Sequence, residues 1–66
     1  MTQKELLYVE DAIGHEKSLA AILQESITHI EDENLKTFLQ KECEKHQNME
    51  NKLKDVLKGE AKWMIN

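Results

Sequence analysis

Apolar residues recur at alternating three- and four-residue spacings along two segments of this chain, and this pattern limits its fold more than any other feature. In the first segment the core-facing positions are Leu6, Val9, Ile13, Glu16, Ala20, Leu23, Ile27 and Ile30. In the second segment they are Leu35, Leu39, Glu42, His46, Met49, Leu53 and Val56. Heptad spacing of this kind is typical of amphipathic helices that pack lengthwise against other helices. The sequence therefore predicts an all-α fold.

Capping and turn residues mark the limits of the two helices. Thr2 and Glu5 have the spacing of a capping box, and Gly59 is placed to stop the second helix. The predicted order is helix 1 from about residue 3 to 30, an acidic turn at 31–34, helix 2 from about 35 to 58 and a tail at 59–66. A turn this short forces helix 2 to return antiparallel to helix 1. The predicted unit is a single helical hairpin.

A hairpin of this size is not expected to be stable alone. The chain has 66 residues, and its single cysteine, Cys43, cannot form an internal disulfide. Further apolar positions widen the stripes, as bundle helices require: Ala12 and Leu19 on helix 1, Phe38 and Leu57 on helix 2. A second row on helix 1 is a candidate contact surface: Tyr8, His15, Ile22 and His29. We therefore expect a homodimer of hairpins that forms a four-helix bundle.

Composition argues against several classes of function. The net charge is −4 and all nine basic residues are lysines, whereas nucleic-acid binding favours arginine and a basic surface. We expect no nucleic-acid partner. No segment has the pattern of a signal peptide or the length of a membrane-spanning helix, and the lone cysteine fits a reducing compartment, which predicts a protein inside the cell without a membrane partner. No nucleophile–base pair, phosphate-binding loop or CxxC motif is present, so we expect no hydrolytic or phosphoryl-transfer enzyme. Redox chemistry at a metal site in the bundle is the catalytic activity that the sequence leaves open.

Three polar residues, Glu16, Glu42 and His46, interrupt the apolar pattern near the middle of the hairpin. A buried carboxylate is costly unless it is paired, protonated, hydrated or bound to a metal. In one interpretation Glu16 pairs with His46 across the hairpin and fixes its register, while Glu42 is hydrogen-bonded or hydrated. In the other, two chains supply four glutamates and two histidines to a di-iron or di-manganese type of site that takes iron, manganese or zinc.

Three features of the hairpin match a known family: Glu16-Lys17 in the middle of helix 1, an acidic turn leading into Leu35, and Glu42 four residues before His46. Together they resemble the ferritin-like helical hairpin of spore coat protein F-like proteins from endospore-forming bacteria, over about residues 6–58. The resemblance implies a protein of the spore coat or of the cytoplasm of a sporulating cell. It also implies other coat or sporulation proteins as partners and no established catalytic activity. It also places any ferritin-like metal site at the three polar residues, although their four-residue Glu-to-His interval differs from the three-residue interval of ferritin-like di-iron bundles.

The expected function is therefore that of a small structural or interaction protein that acts as a self-associating helical bundle. The alternative is a ferritin-like metal-binding module. A third interpretation is a regulatory hairpin that docks on a larger partner through its acidic turn and its apolar tail, Trp63, Met64 and Ile65.

Overall fold

A computed structural model describes the backbone of residues 1–65 and the side chains of residues 1–59. The chain forms two helices, α1 (Gln3–Ile27) and α2 (Glu33–Ile65). They pack side by side and antiparallel: Glu16 contacts His46 and Ala20 contacts Cys43, so the contacting residue numbers rise along α1 and fall along α2. The Cα positions extend over 51 × 16 × 11 Å, so the hairpin is a single layer of helices. The predicted helical hairpin is confirmed.

The capping box at the start of α1 is present as predicted. The Glu5 amide donates to the Thr2 hydroxyl at 3.1 Å, and the Thr2 amide donates to the Glu5 carboxylate at 2.8 Å. Two donors that the helix leaves unpaired are thereby satisfied. The hydrogen bond from the Thr2 amide favours the ionised carboxylate and lowers the pKa of Glu5 below its ordinary value.

The turn lies earlier in the chain than its acidic cluster suggested. Helix α1 ends at Ile27 rather than at residue 30, because Thr28 forms its C-cap: both its amide and its hydroxyl donate to the Glu25 carbonyl, the hydroxyl at 2.7 Å. Helix α2 begins at Glu33, since the Asp32 carboxylate accepts from the Leu35 amide at 2.9 Å. Asp32 therefore caps α2, in the manner usual for an aspartate at a helix N-terminus.

The predicted helix stop at Gly59 is wrong. Helix α2 continues through Gly59 to Ile65. A glycine ends a helix by adopting a positive φ, and no described glycine has one. The neighbouring Lys58, Glu60 and Ala61 are good helix formers, so nothing local opposes continuation. The side chains of the apolar tail, residues 63–65, lie outside the part of the chain whose side chains are described.

The contact between the helices confirms the predicted stripe of α1 but not that of α2. All eight positions predicted for helix 1 are buried or half-buried, although the last of them, Ile30, lies in the turn after α1. On α2, the predicted Leu39, His46 and Leu53 face α1, but Leu35, Met49 and Val56 are 45%, 42% and 47% exposed. The other residues that face α1 are Lys36, Cys43, Glu50 and Leu57. Helix α2 is therefore rotated from its predicted orientation by about one residue.

Small side chains explain this rotation. Ala20 and Cys43 are each 5% exposed, and they are the residues classed as buried among the described side chains. The Cys43 thiol donates to the Ala20 carbonyl at 3.5 Å, which requires the two backbones to approach closely. The longer, charged Glu42 that was predicted to face α1 does not suit such an approach. Cys43 thus lies in the contact rather than beside it.

Candidate functional site

The middle of the hairpin contains a polar pair, Glu16 and His46. Glu16 lies in the centre of α1 and His46 on the facing side of α2, and the His46 Nδ1–H donates to the Glu16 Oε2 at 2.5 Å. The two side chains are 21% and 26% exposed. This contact confirms the pairing that the sequence predicted as one of two interpretations. A hydrogen bond between residues 30 positions apart favours one alignment of the helices over neighbouring ones.

Two further glutamates on α2 lie one turn from His46. Glu50, four residues after His46, accepts from the Lys54 ammonium at 2.6 Å and is half-buried. Glu50 was not predicted as a site residue, although the four-residue spacing between Glu50 and Lys54 is typical of an ion pair within a helix. Glu42, four residues before His46, is also half-buried, and among the described residues it has no hydrogen bond or ion pair. The structure thus brings together Glu16 and His46 and leaves Glu42 without a polar partner.

These residues do not form a complete metal site within one chain. Among the residues whose side chains are described, no group of three or more histidine, cysteine, aspartate or glutamate side chains is arranged to hold a metal. Iron, manganese and zinc sites in helical bundles take more ligands than the pair Glu16 and His46 supplies, and part of that pair's capacity is used by its hydrogen bond. A ferritin-like centre would therefore need ligands from another chain.

A second candidate site is an apolar surface along one side of the hairpin. The residues at the helix contact are assigned to heptad positions a and d. Position a is Leu6, Ile13 and Ala20 on α1 and Lys36, Cys43 and Glu50 on α2, and position d lies three residues after each of them. In this assignment seven exposed apolar residues occupy positions g and c. They are Tyr8, Leu19, Ile22, Leu35, Phe38, Met49 and Val56, each between 42% and 63% exposed. In an antiparallel helix pair the g positions of both helices lie on the same side. These seven residues therefore form one surface, named the open face.

The opposite side of the hairpin has a different character. Its e positions are Glu10, Lys17 and Gln24 on α1 and Gln40, Gln47 and Lys54 on α2; this side is named the polar face. An open groove of about 510 Å³ lies there, lined by Gln24, Ile27, Gln40, Cys43, Glu44 and Gln47. Three of its six lining residues are glutamines, and the others are one aliphatic residue, one cysteine and one glutamate. Leu7, at position b, is an exposed apolar residue outside the open face.

Part of the open face was predicted from the sequence. The predicted row of Tyr8, His15, Ile22 and His29 is exposed, and its two apolar members belong to the open face. His29, in the turn after α1, instead contacts Glu25 in the last turn of α1, at 3.1 Å. The contribution of α2 was missed because Leu35, Met49 and Val56 were assigned to the contact with α1. The seven-residue spacing from Leu35 through Glu42 and Met49 to Val56 is the signal that identifies them as one row.

Within residues 1–65, neither helix combines the length and the apolar character needed to cross a membrane. Comparisons of the chain with protein-family models, curated proteins and solved structures found no match.

Proposed function

We propose that this protein is a structural or interaction protein that works as a dimer of hairpins, in the form of a four-helix bundle. The observation that carries the proposal is the open face, on which seven large apolar side chains share one side of a single-layer molecule. Seven large exposed apolar side chains on one side of so small a molecule are typical of a protein contact site.

The weak interior of one hairpin supports the same conclusion. Among the described side chains, only Ala20 and Cys43 are buried, and no large side chain is fully buried. Burial of apolar area supplies roughly 25 cal/mol per Å² and must offset the entropy of ordering the chain. Two small residues contribute little of that area. A second hairpin on the open face would bury the leucine, isoleucine, methionine and aromatic side chains that one hairpin leaves in water.

The dimensions of the open face fit a second copy of this chain. The helices run side by side over the 25 residues of α1, or roughly 38 Å at 1.5 Å per residue, so a face 16 Å wide has a plan area of roughly 600 Å², near the lower end of the area per partner of a stable interface. A partner must present a matching apolar surface of the same length to cover it. A second hairpin has that surface, and its addition gives the layer-on-layer packing of a helical bundle.

Sedimentation equilibrium of the full chain tests the dimer. We expect a species of twice the chain mass of 7.7 kDa. A folded helical protein that keeps the single-chain mass up to about 1 mM would contradict the proposal, because an association weaker than this supplies less than about 4 kcal/mol.

The biological setting that we propose is the spore coat or the cytoplasm of a sporulating cell. Its support is the resemblance to spore coat protein F-like hairpins at Glu16-Lys17, the acidic turn and the Glu42 to His46 interval. The test is expression of a tagged chain in an endospore-forming bacterium, followed by fractionation of purified spores. We expect the chain in the coat fraction or in the sporulating cell's cytoplasm, and equal abundance in growing and sporulating cells would contradict this setting.

Metal binding is not part of this proposal. The alternative of a ferritin-like metal module needs at least three convergent ligands, and one chain brings only Glu16 and His46 into contact. The hydrogen bond pairs His46 Nδ1 with Glu16 Oε2 without a metal.

A further inference from the structure

We infer that two copies of this chain pack open face to open face with their turns at the same end, so that α1 of each copy lies against α2 of the other. This inference rests on the proposed self-association and specifies its geometry. The observations that carry it are the position of the open face and the distribution of charge along its two outer edges.

Two stacked hairpins related by a two-fold axis have two ways to bring their open faces together. If the axis runs parallel to the helices, the two turns lie at the same end and α1 contacts the second copy's α2. If the axis runs across the helices within the interface, the turns lie at opposite ends and α1 contacts the second copy's α1. Both arrangements bury the same apolar residues. The charges at the edges of the face therefore decide between them.

The contacts within one hairpin show which residues lie at the same height along its axis. Glu16 contacts His46, and Ala20 contacts Cys43. At a rise of 1.5 Å per residue, Asp11 is level with about residue 52, and Glu25 is within about one turn of Lys41. In the same-end arrangement the second copy's α2 has this same alignment with α1.

The outer edge of α1 and that of α2 differ in charge. The charged residues at positions c and f are Lys4, Asp11 and Glu25 on α1, and Lys41, Lys45, Lys52 and Asp55 on α2. In the same-end arrangement each charge on α1 has an opposite charge on the second copy within about one helical turn: Lys4 with Asp55, Asp11 with Lys52, and Glu25 with Lys41. The two-fold axis repeats each pair. All three edge charges of α1 thus have an opposite charge, and the like-charge approach in the same range is that of Asp11 to the second copy's Asp55, about one turn away.

The opposite-end arrangement matches these charges poorly. It places two pairs of opposite charges level, Lys4 with the second copy's Glu25 and Lys41 with its Asp55. It also places Lys41 and Lys45 within about half a turn of the second copy's Lys52, so two like-charge pairs offset the two favourable ones. Each ion pair at an exposed edge stabilises the dimer by only roughly 0.2–1 kcal/mol. Like charges at the same positions destabilise the dimer instead. The sum over the edge favours turns at the same end.

The test measures distances between nitroxide labels by pulsed electron paramagnetic resonance. The full chain carries Cys43→Ala and a single new cysteine, either Glu31→Cys in the turn or Ser18→Cys at mid-height; both positions are exposed. With interaxial distances of 8–10 Å, the same-end arrangement predicts labels at position 31 within about 25 Å of each other. Labels separated by a distance close to the 51 Å length of the hairpin would overturn the inference.

The mid-height label separates failure of the arrangement from failure of self-association. Labels at position 18 are expected within about 35 Å in either face-to-face arrangement, since both copies are then level at their centres. A short distance at position 18 with a long one at position 31 would overturn the same-end inference and leave the dimer intact. No measurable distance at either position would overturn both. If Cys43→Ala unfolds the chain, Cys43→Ser retains a donor for the Ala20 carbonyl and replaces it as the background.

Discussion

The open face and the polar face are two sides of the same pair of helices, and they differ in what the sequence places beside the helix contact. On the polar face the flanking positions carry amides and charges, such as Gln24, Gln40 and Lys17. On the open face the equivalent positions carry Leu19, Met49 and other large apolar residues that remain exposed. The polar face thus carries side chains that suit contact with water, and the open face carries side chains that suit contact with protein. This difference supports the proposal that one hairpin is half of a bundle.

The largest effect is expected when charge is introduced on one face and not on the other. Leu19→Glu with Met49→Glu places two carboxylates in the proposed interface, where desolvation is costly. We expect the dissociation constant of the dimer to rise by at least about 100-fold, equivalent to about 2.7 kcal/mol. Sedimentation equilibrium measures the change.

The matched control introduces the same charge on the other side of α1. Leu7 is 56% exposed at position b, and Ala21 is exposed at the same heptad position. Leu7→Glu with Ala21→Glu should change the dissociation constant by less than about threefold, as is usual for surface substitutions. Equal weakening by both double variants would show that the open face has no special role.

The Glu16–His46 pair borders the open face, and its removal separates a structural role from a metal-binding one. Glu16→Ala leaves the half-buried His46 without its partner and should lower the free energy of unfolding by about 1–3 kcal/mol, measured by urea denaturation. Glu16→Leu with His46→Leu removes both polar groups and should be neutral or stabilising. A double variant with a lower free energy of unfolding than Glu16→Ala would contradict this account. So would a decrease in the free energy of unfolding of the wild-type chain on treatment with a chelator.

Glu42 is the charged residue in the row that joins Leu35, Met49 and Val56 along the open face. It has no polar partner among the described residues, so dimerisation would desolvate its carboxylate without compensation. Glu42→Leu should therefore tighten the dimer by about tenfold, or about 1.4 kcal/mol. Glu44→Leu, on the polar-face side, is the control and should leave the dissociation constant nearly unchanged. Weaker association of the Glu42→Leu chain would mean that Glu42 contributes a favourable contact to the dimer.

The smallest expected effect comes from the edge charges. In the same-end dimer Asp11 lies near the second copy's Lys52, so Asp11→Lys should weaken the dimer by about twofold to tenfold, the range for two exposed ion pairs. Adding Lys52→Asp to the same chain should restore the affinity. Sedimentation at low salt is the most sensitive measurement, because screening reduces edge electrostatics. Additive weakening by the two substitutions would count against this pairing.

Local signals in the sequence predicted much of the fold. The capping box at Thr2, the stripe on α1 and the antiparallel return depend on residues a few positions apart, and the structure contains all three. The pairing of Glu16 with His46 was predicted because both residues interrupt an apolar stripe at the same height. Polar residues at the same height in a helix contact are expected to pair, because burial of a polar group without a hydrogen bond is costly.

The orientation of α2 was not predictable from spacing alone. Its apolar residues satisfy two heptad frames one residue apart: Leu35, Met49 and Val56 fit one, Leu57 fits the other, and Leu39 and Leu53 fit both. The choice depends on the close packing of Ala20 against Cys43, a contact between residues 23 positions apart. Spacing within one helix carries no information on that contact. The α2 residues of the open face could be identified only from the observed orientation of α2.

The central claim is that the hairpin is stable as a pair and not alone, and a dilution series followed by far-ultraviolet circular dichroism tests it most directly. For a chain whose folding is coupled to dimerisation, stability depends on protein concentration. We predict that the helical signal and the thermal midpoint both fall as the protein is diluted through the dissociation constant measured by sedimentation. A helical signal and a thermal midpoint that stay constant across that range would contradict the claim, because they would show a hairpin that is folded without a second copy.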